Sequence, residues 1–162
     1  MLFRSNYRTV SFWFNADTIP TDPRDNLLSQ NSNDLIYGCF VASLQQDRLS
    51  CFAAGLEGYG CDDFQTNTRY MVHMIRDGSQ VRYYIDGDLK HTGASGSGGS
   101  TWNPNRNLVI GADRAHNRPL DGILDEIRIS NTARSSDWIS TEYNNQNDPS
   151  DFLSFGPEET GL

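Results

Sequence analysis

The groups in this chain that could do chemistry are mainly carboxylates, and Asp125 and Glu126 stand directly beside each other. A retaining glycosidase needs two carboxylates about 5 Å apart on the same side of a cleft. Adjacent residues of a strand point to opposite faces, so this pair does not form such a dyad. The chain also has no alternating acidic motif, nucleophile elbow or phosphate-binding loop. The sequence therefore indicates a protein that is not an enzyme.

A second set that could react is Arg128, His73 and Tyr84, but these three lack the spacing of an alginate-lyase-type site. His73 lies between Val72 and Met74 in an apolar run. A histidine in that setting is more often packed in a core than used as a base or a ligand. We therefore predict a buried, structural His73.

Asp125 is the carboxylate that most needs an explanation. Ile123, Ile127 and Ile129 recur with a period of two and so share one face of a predicted strand, and Asp125 falls on that face. A buried carboxylate is costly unless it is paired, hydrogen-bonded or bound to a metal. The pattern predicts a neutralised Asp125, with either hydrogen-bond donors or a cation as its partner.

Ligand binding would need exposed rings and polar groups, and the predicted loops offer both. Tyr59 stands between glycines, and Trp102 follows the flexible stretch ASGSGGS. Asp113 and Arg114 lie in another polar loop. These four residues are the candidate ligand-binding set, although Tyr59 could be incidental to its turn and Trp102 could instead seal the core edge.

Composition restricts the classes of partner. The chain has 162 residues, which suits one domain, and a net charge of −8. That charge argues against nucleic acid and against anionic membranes. No apolar run reaches the roughly 18 residues of a membrane span, and no signal peptide is visible. The three cysteines, Cys39, Cys51 and Cys61, predict buried thiols or one disulfide, without deciding which two would pair.

Short β-like runs between turn residues predict an all-β protein. Strands are expected at 10–15, 27–30, 35–44, 48–54, 70–93 (a hairpin series with Asp-Gly turns), 108–112 and 123–130, and 55–68 reads as a loop. One short helix should follow Ser135, a suitable N-cap, and dock on the rim through Ile139 and Tyr143. A turn at 144–151 and a closing strand with Phe152, Leu153 and Phe155 complete the expectation.

The segments VSFWFNADTIP, YMVHMIRDGSQVRYYIDGDLKHTG, NLVIGA and LDGILDEIRISNTARSSDWISTEYNNQNDPS resemble, in this order, the laminin-G-like, concanavalin A-like family. The resemblance implies a jelly-roll sandwich of two antiparallel sheets with one short C-terminal helix. It also implies a single domain over 1–156 and a linker-like tail over 157–162. The aspartate of the family's G-x-x-D-E pattern matches Asp125, and in relatives it can face a cation. One structural calcium ion at Asp125 is therefore expected.

The resemblance also suggests a function. Family members mostly bind glycans or proteins, so the leading hypothesis is a non-catalytic, carbohydrate-binding module of a larger secreted or surface bacterial protein. Its partner would be a glycan or a cell-surface protein, in an extracellular or cell-surface location. The alternative is a structural or adhesive spacer without glycan specificity. A polysaccharide lyase or glycoside hydrolase is the third and weakest hypothesis.

Overall fold

The computed structural model describes residues 7–19, 25–29, 40–45, 48–53, 59–94, 108–112, 118–152 and 156. Within them, two five-stranded antiparallel sheets are formed, with strand orders β10-β1-β6-β7-β8 and β5-β4-β3-β2-β9. The strands are β1 (Tyr7–Ala16), β2 (Asp25–Ser29), β3 (Phe40–Gln45), β4 (Arg48–Ala53), β5 (Tyr59–Asp63), β6 (Arg69–Asp77), β7 (Gln80–Ile85), β8 (Asp88–Ala94), β9 (Val109–Ile110) and β10 (Gly122–Ser130). The predicted all-β sandwich is confirmed.

The main core lies between the two sheets. Alternate residues of β1 point inward, and Val10, Phe12 and Phe14 are buried there. Leu27 and Leu28 of β2 belong to the same core. On the other face of β1, Trp13 is buried as well. Both faces of this strand are therefore covered.

Tight hairpins build the β6-β7-β8 part of the first sheet. Asp77 pairs with Gln80 across the first turn, and Ile85 pairs with Asp88 across the second. In the second turn Asp86 and Gly87 both have positive φ, 51° and 82°. A two-residue hairpin loop of this type favours Asp-Gly, because glycine tolerates the left-handed region. The Asp-Gly turns expected here are confirmed.

Strand β10 contains a β-bulge that changes the expected face of Asp125. Ser11 pairs with Arg128 but Trp13 pairs with Asp125, so two residues of β10 oppose Phe12. Glu126, at the bulge, has a φ of 52°. The extra residue reverses the alternation. Consequently Leu124, Ile127 and Ile129 pack against the core, whereas Ile123 and Asp125 are exposed.

The prediction of a buried Asp125 on the isoleucine face is therefore wrong. A strict period of two assumes an uninterrupted strand, and the bulge breaks it. The loop predicted at 55–68 is also partly wrong, because Tyr59–Asp63 forms β5 at the edge of the second sheet.

Helix α1 (Ser136–Asn147) begins where the sequence predicted, with Ser135 as its N-cap. It lies across the outer face of the first sheet, not at its rim, because Ile139 packs against Ile75 and Tyr84. The turn predicted at 144–151 is wrong, since α1 continues to Asn147 and a short α2 (Pro149–Phe152) follows. Phe152 is thus helical, while Leu153 and Phe155 lie outside the described residues. No helix in the described ranges could span a membrane.

Candidate functional site: the pocket between α1 and β10

The connector before α1 is fixed to β1 by a single hydroxyl. Thr9 Oγ1 donates to the carbonyl of Thr132 (2.8 Å) and accepts from the backbone N–H of Arg134 (2.9 Å). The Ser135 hydroxyl then accepts from the N–H of Trp138 at 3.3 Å, which satisfies one of the free donors of the first turn. These bonds set the position at which the helix starts along the sheet.

A buried polar contact holds the middle of the helix. His73, on β6, is fully buried, and its Nε2 lies 2.8 Å from Oε2 of Glu142 on α1. An ionised carboxylate can only accept, so Nε2 carries the hydrogen and donates it. The prediction of a buried His73 is confirmed, and its partner comes from a part of the sequence 69 positions away.

The second oxygen of Glu142 is used by Arg128 of β10. The Arg128 guanidinium donates to Glu142 Oε1 at 2.5 Å and also to the carboxylate of Glu126. Burial by itself would raise the pKa of Glu142, but the hydrogen bonds from His73 and Arg128, with their electrostatic attraction, hold that pKa below its ordinary value. Glu142 is thus an ionised group with both oxygens occupied.

An open pocket lies directly beside this network. It has a volume of about 280 Å³ and is lined by Arg128, Trp138, Thr141, Glu142, Asn145 and Gln146. Five of these residues come from α1, at spacings of three and four that place them on one side of the helix. Arg128 completes the pocket from β10, because it lies between the core-facing Ile127 and Ile129 and so points to the helix-facing side, opposite Ser11.

Two aromatic contacts fix the walls of the pocket. Trp138 is partly exposed, and its ring meets that of His73 edge-on, with centroids 6.3 Å apart. The guanidinium carbon of Arg134 lies 4.5 Å from the Trp138 ring centroid.

At the other end of the pocket, Gln146 Oε1 accepts a hydrogen bond from Trp13 Nε1 at 2.7 Å. The NH₂ group of Gln146 is therefore the donor that this residue can offer to a ligand.

The chemistry of this pocket is that of recognition. It combines a tryptophan ring, two amides, a hydroxyl and an ion pair. Both carboxylates near it, Glu142 and Glu126, are bound to one guanidinium. For Glu142 this pairing lowers the pKa, which is the opposite of the raised pKa that a general acid needs.

None of the four ligand-binding residues proposed from the sequence has a described side chain. Tyr59 begins β5, where its backbone pairs with Cys51, but its side chain lies outside the described residues, as do Trp102, Asp113 and Arg114. Their role in binding stays a prediction. A disulfide among the cysteines also stays a prediction, because Cys39 and the side chains of Cys51 and Cys61 lie outside the described residues.

Sequence reasoning missed Glu142 and with it the pocket. A usable signal was present: Ile139, Glu142 and Tyr143 share one face of the predicted helix, so a carboxylate stood on the face expected to dock. Such a residue requires a partner, and His73 was a buried polar group without one in its own neighbourhood.

The described residues around Asp125 do not fit a calcium ion. Calcium takes six to eight oxygen ligands, usually including several carboxylates. Asp125 is exposed, and its Oδ1 accepts the backbone N–H of Glu126 at 2.8 Å. In the parts of the chain that the structure describes, no three His, Cys, Asp or Glu side chains gather into a metal-binding group. The calcium ion stays a prediction.

The sandwich of two antiparallel sheets, with a helix across one outer face, defines a jelly-roll domain of the lectin-like class. A family model described as the concanavalin A-like lectin/glucanases superfamily matches residues 2–140, and the chain belongs to this family. The resemblance noted from the sequence is confirmed. Among curated proteins, no sequence matches this chain.

Solved structures share the fold at low sequence identity. Domain 4 of an extracellular arabinanase from Geobacillus stearothermophilus, in complex with arabinotriose, is 18% identical over 85% of this chain and 66% of that chain, with a TM-score of 0.65. A pentraxin from Limulus polyphemus is 16% identical over 88% and 71%, with a TM-score of 0.69. A Trypanosoma rangeli sialidase is 16% identical, also with a TM-score of 0.69, but this chain spans only 23% of it.

Proposed function

We propose that this domain is a non-catalytic carbohydrate-binding module and that the pocket between α1 and β10 is its binding site. The observation that carries the proposal is the composition of the pocket: a partly exposed Trp138, the amides of Asn145 and Gln146, and the Arg128–Glu142 pair. Sugars bind through stacking of C–H groups on a ring and through hydrogen bonds of hydroxyls to amide and charged groups. All of these groups meet here within one pocket.

The comparisons support this function at the level of the class. The arabinanase domain that shares the fold was solved with arabinotriose, a short neutral oligosaccharide. Domains of this class often belong to extracellular proteins, so we place the module in an extracellular or cell-surface protein. Its partner is a glycan, and a cell-surface protein is the second class of partner to be tested.

The absence of catalysis is part of the proposal and rests on two observations. Both oxygens of Glu142 accept hydrogen bonds, from His73 and Arg128, and its pKa is lowered, so this carboxylate is poorly suited to act as a nucleophile or a general acid. His73, the nearest group that could act as a base, is fully buried behind Glu142. A group without access to a substrate cannot transfer a proton to it.

A glycan array followed by titration of each hit tests the proposal. Asn145→Ala removes one exposed amide from the pocket, and Asn144→Ala removes the neighbouring exposed amide, which does not line it. We expect Asn145→Ala to weaken binding about five- to tenfold, as for the loss of a hydrogen bond, and Asn144→Ala to leave it unchanged.

Two other outcomes would redirect the proposal. Glycan binding that is lost in Trp102→Ala but kept in Asn145→Ala would move the site to the loops, with Tyr59, Asp113 and Arg114 as its remaining candidates. If the wild-type domain binds no glycan on the array, the spacer hypothesis becomes the better account. Turnover of a polysaccharide by the wild type would contradict the non-catalytic part.

A further inference from the structure

We infer that the pocket between α1 and β10 selects neutral sugars and rejects acidic ones, because Glu126 and Glu142 together neutralise the pocket's one cation, Arg128. This inference rests on the proposed function and specifies its ligand class. The ligand would be a neutral glycosyl residue, a pentose or hexose with free hydroxyls, and not a uronic acid, a sialic acid or a sulfated sugar.

The terminal nitrogens of Arg128 already have carboxylate partners. A guanidinium recognises carboxylates and sulfates through its paired N–H groups. In this protein one terminal nitrogen donates to Glu142 and the other to Glu126. Arg128 is the single cationic side chain among the residues that line the pocket. Two of its five N–H donors are used in this way, so an acidic sugar would meet a guanidinium whose charge two carboxylates already balance.

The charges around the pocket act in the same direction. Two carboxylates face one guanidinium, so the group carries an excess of negative charge. Arg134 does not line the pocket, and its guanidinium lies over the Trp138 ring. The net charge of the whole chain, −8, adds a repulsion of the same sign. The net charge of the chain would therefore repel an anionic ligand at a distance, and at the site the ligand would meet an Arg128 whose charge two carboxylates already balance.

The amides of Asn145 and Gln146 remain available to a ligand. Gln146 uses its oxygen on Trp13, so it offers N–H donors, whereas the exposed Asn145 offers a donor and an acceptor. A sugar hydroxyl is itself both donor and acceptor and can satisfy either amide. A carboxylate can only accept, so it could bind the N–H donors of both amides but would leave the acceptor oxygen of Asn145 without a partner.

The test uses pairs of oligosaccharides that differ only at C6, such as galactose- and galacturonate-based trimers, titrated by calorimetry at low salt. The neutral member should bind at least about tenfold more tightly to the wild type. Glu126→Gln frees one side of Arg128 and should improve binding of the acidic member relative to the neutral one by about fivefold or more. Asp125→Asn removes one negative charge at the adjacent residue, outside the pocket, and should leave the ratio of acidic to neutral affinity unchanged.

The outcomes separate the inference from the proposed function. Equal or tighter binding of the acidic trimer by the wild type would overturn the inference while leaving carbohydrate binding in place. The same ratio in Glu126→Gln and Asp125→Asn would overturn the role given to Arg128. Binding of no glycan pair at all would remove the proposed function, and the inference with it. Thermal melts of both variants check that each one is folded.

Discussion

His73 on β6 and Glu142 on α1 are joined by a 2.8 Å hydrogen bond between Nε2 and Oε2. Both residues are buried, and Glu142 also accepts from Arg128 on β10. Helix α1 is thus fixed to a central strand and to an edge strand of the same sheet through one carboxylate. The rest of its docking face is held by Ile139 and by the bond between Gln146 and Trp13.

Removing the Glu142 carboxylate should destabilise the domain strongly. In Glu142→Ala the buried N–H of His73 loses its acceptor and Arg128 loses one of its partners, which together should cost about 3 kcal/mol of unfolding free energy. Glu142→Gln keeps an acceptor oxygen and the shape, so it should cost about 1 kcal/mol. Urea unfolding measures both values. Equal and small losses in the two variants would show that the contact contributes little.

Acidification should remove the contribution of Glu142. Its pKa in the folded protein is lower than the ordinary value of 4.5, so the folded state binds fewer protons there than the unfolded state does. The stabilisation is therefore present above that ordinary value and is lost as the pH falls through the folded pKa. We expect the difference in melting temperature between wild type and Glu142→Gln to shrink from about pH 7 to about pH 3. A difference that stays constant would contradict this linkage.

The sequence predicted the strands around β1, β6 and β7 well, because each has strong apolar alternation and turns with Asp-Gly. It also predicted the start of α1, since Ser135 is a good N-cap. These features depend on residues that are close in sequence. The pairing of His73 with Glu142 could not be read in the same way, because it depends on where the helix lies across the sheet.

The error at Asp125 has a different origin. A single bulge at Glu126 reverses the faces of β10, and neither Asp125 nor Glu126 is a residue that signals left-handed backbone as glycine would. A buried carboxylate does need a partner, but the carboxylate in question is Glu142 and not Asp125. Its spacing from Ile139 places it on the docking face of the helix.

The Asp86-Gly87 turn offers a second test of a carboxylate. Burial raises the pKa of Asp86, although its Oδ1 accepts the N–H of Met71 at 2.8 Å, which acts in the opposite direction. Asp86→Ala loses this acceptor at a position with φ of 51° and should cost about 1–2 kcal/mol. Asp86→Asn keeps the acceptor, tolerates the left-handed region and avoids burying a charge.

We therefore expect Asp86→Asn to be at least as stable as wild type at neutral pH, as measured by thermal melts. Because the pKa of Asp86 is raised, the folded state takes up a proton there more readily than the unfolded state does. The stability of wild type should therefore rise relative to that of Asp86→Asn as the pH falls. A loss in Asp86→Asn as large as that in Asp86→Ala would show that a charge, and not an acceptor, is needed at this turn.

The calcium prediction can be tested at the residue it named. Asp125 is exposed and its Oδ1 is used within β10, so we expect the response to a chelator to be the same in wild type and in Asp125→Asn. Melting temperatures with excess chelator and after re-addition of calcium measure this response. A chelator shift present in wild type and absent in Asp125→Asn would restore Asp125 as a calcium ligand.

The bulge in β10 can be tested at Glu126, whose φ of 52° is one that glycine adopts without steric cost. Glu126→Gly relieves a left-handed strain of about 1–2 kcal/mol. Against this stand the added freedom of the unfolded chain, about 0.5–1 kcal/mol, and the loss of an exposed ion pair with Arg128, worth less than about 1 kcal/mol. We expect its unfolding free energy to stay within about 1 kcal/mol of wild type. Ile123→Gly, on the same strand without a positive φ, should lose stability, because glycine there only adds freedom to the unfolded chain. Similar losses in both variants would mean that β10 does not need the left-handed residue at 126.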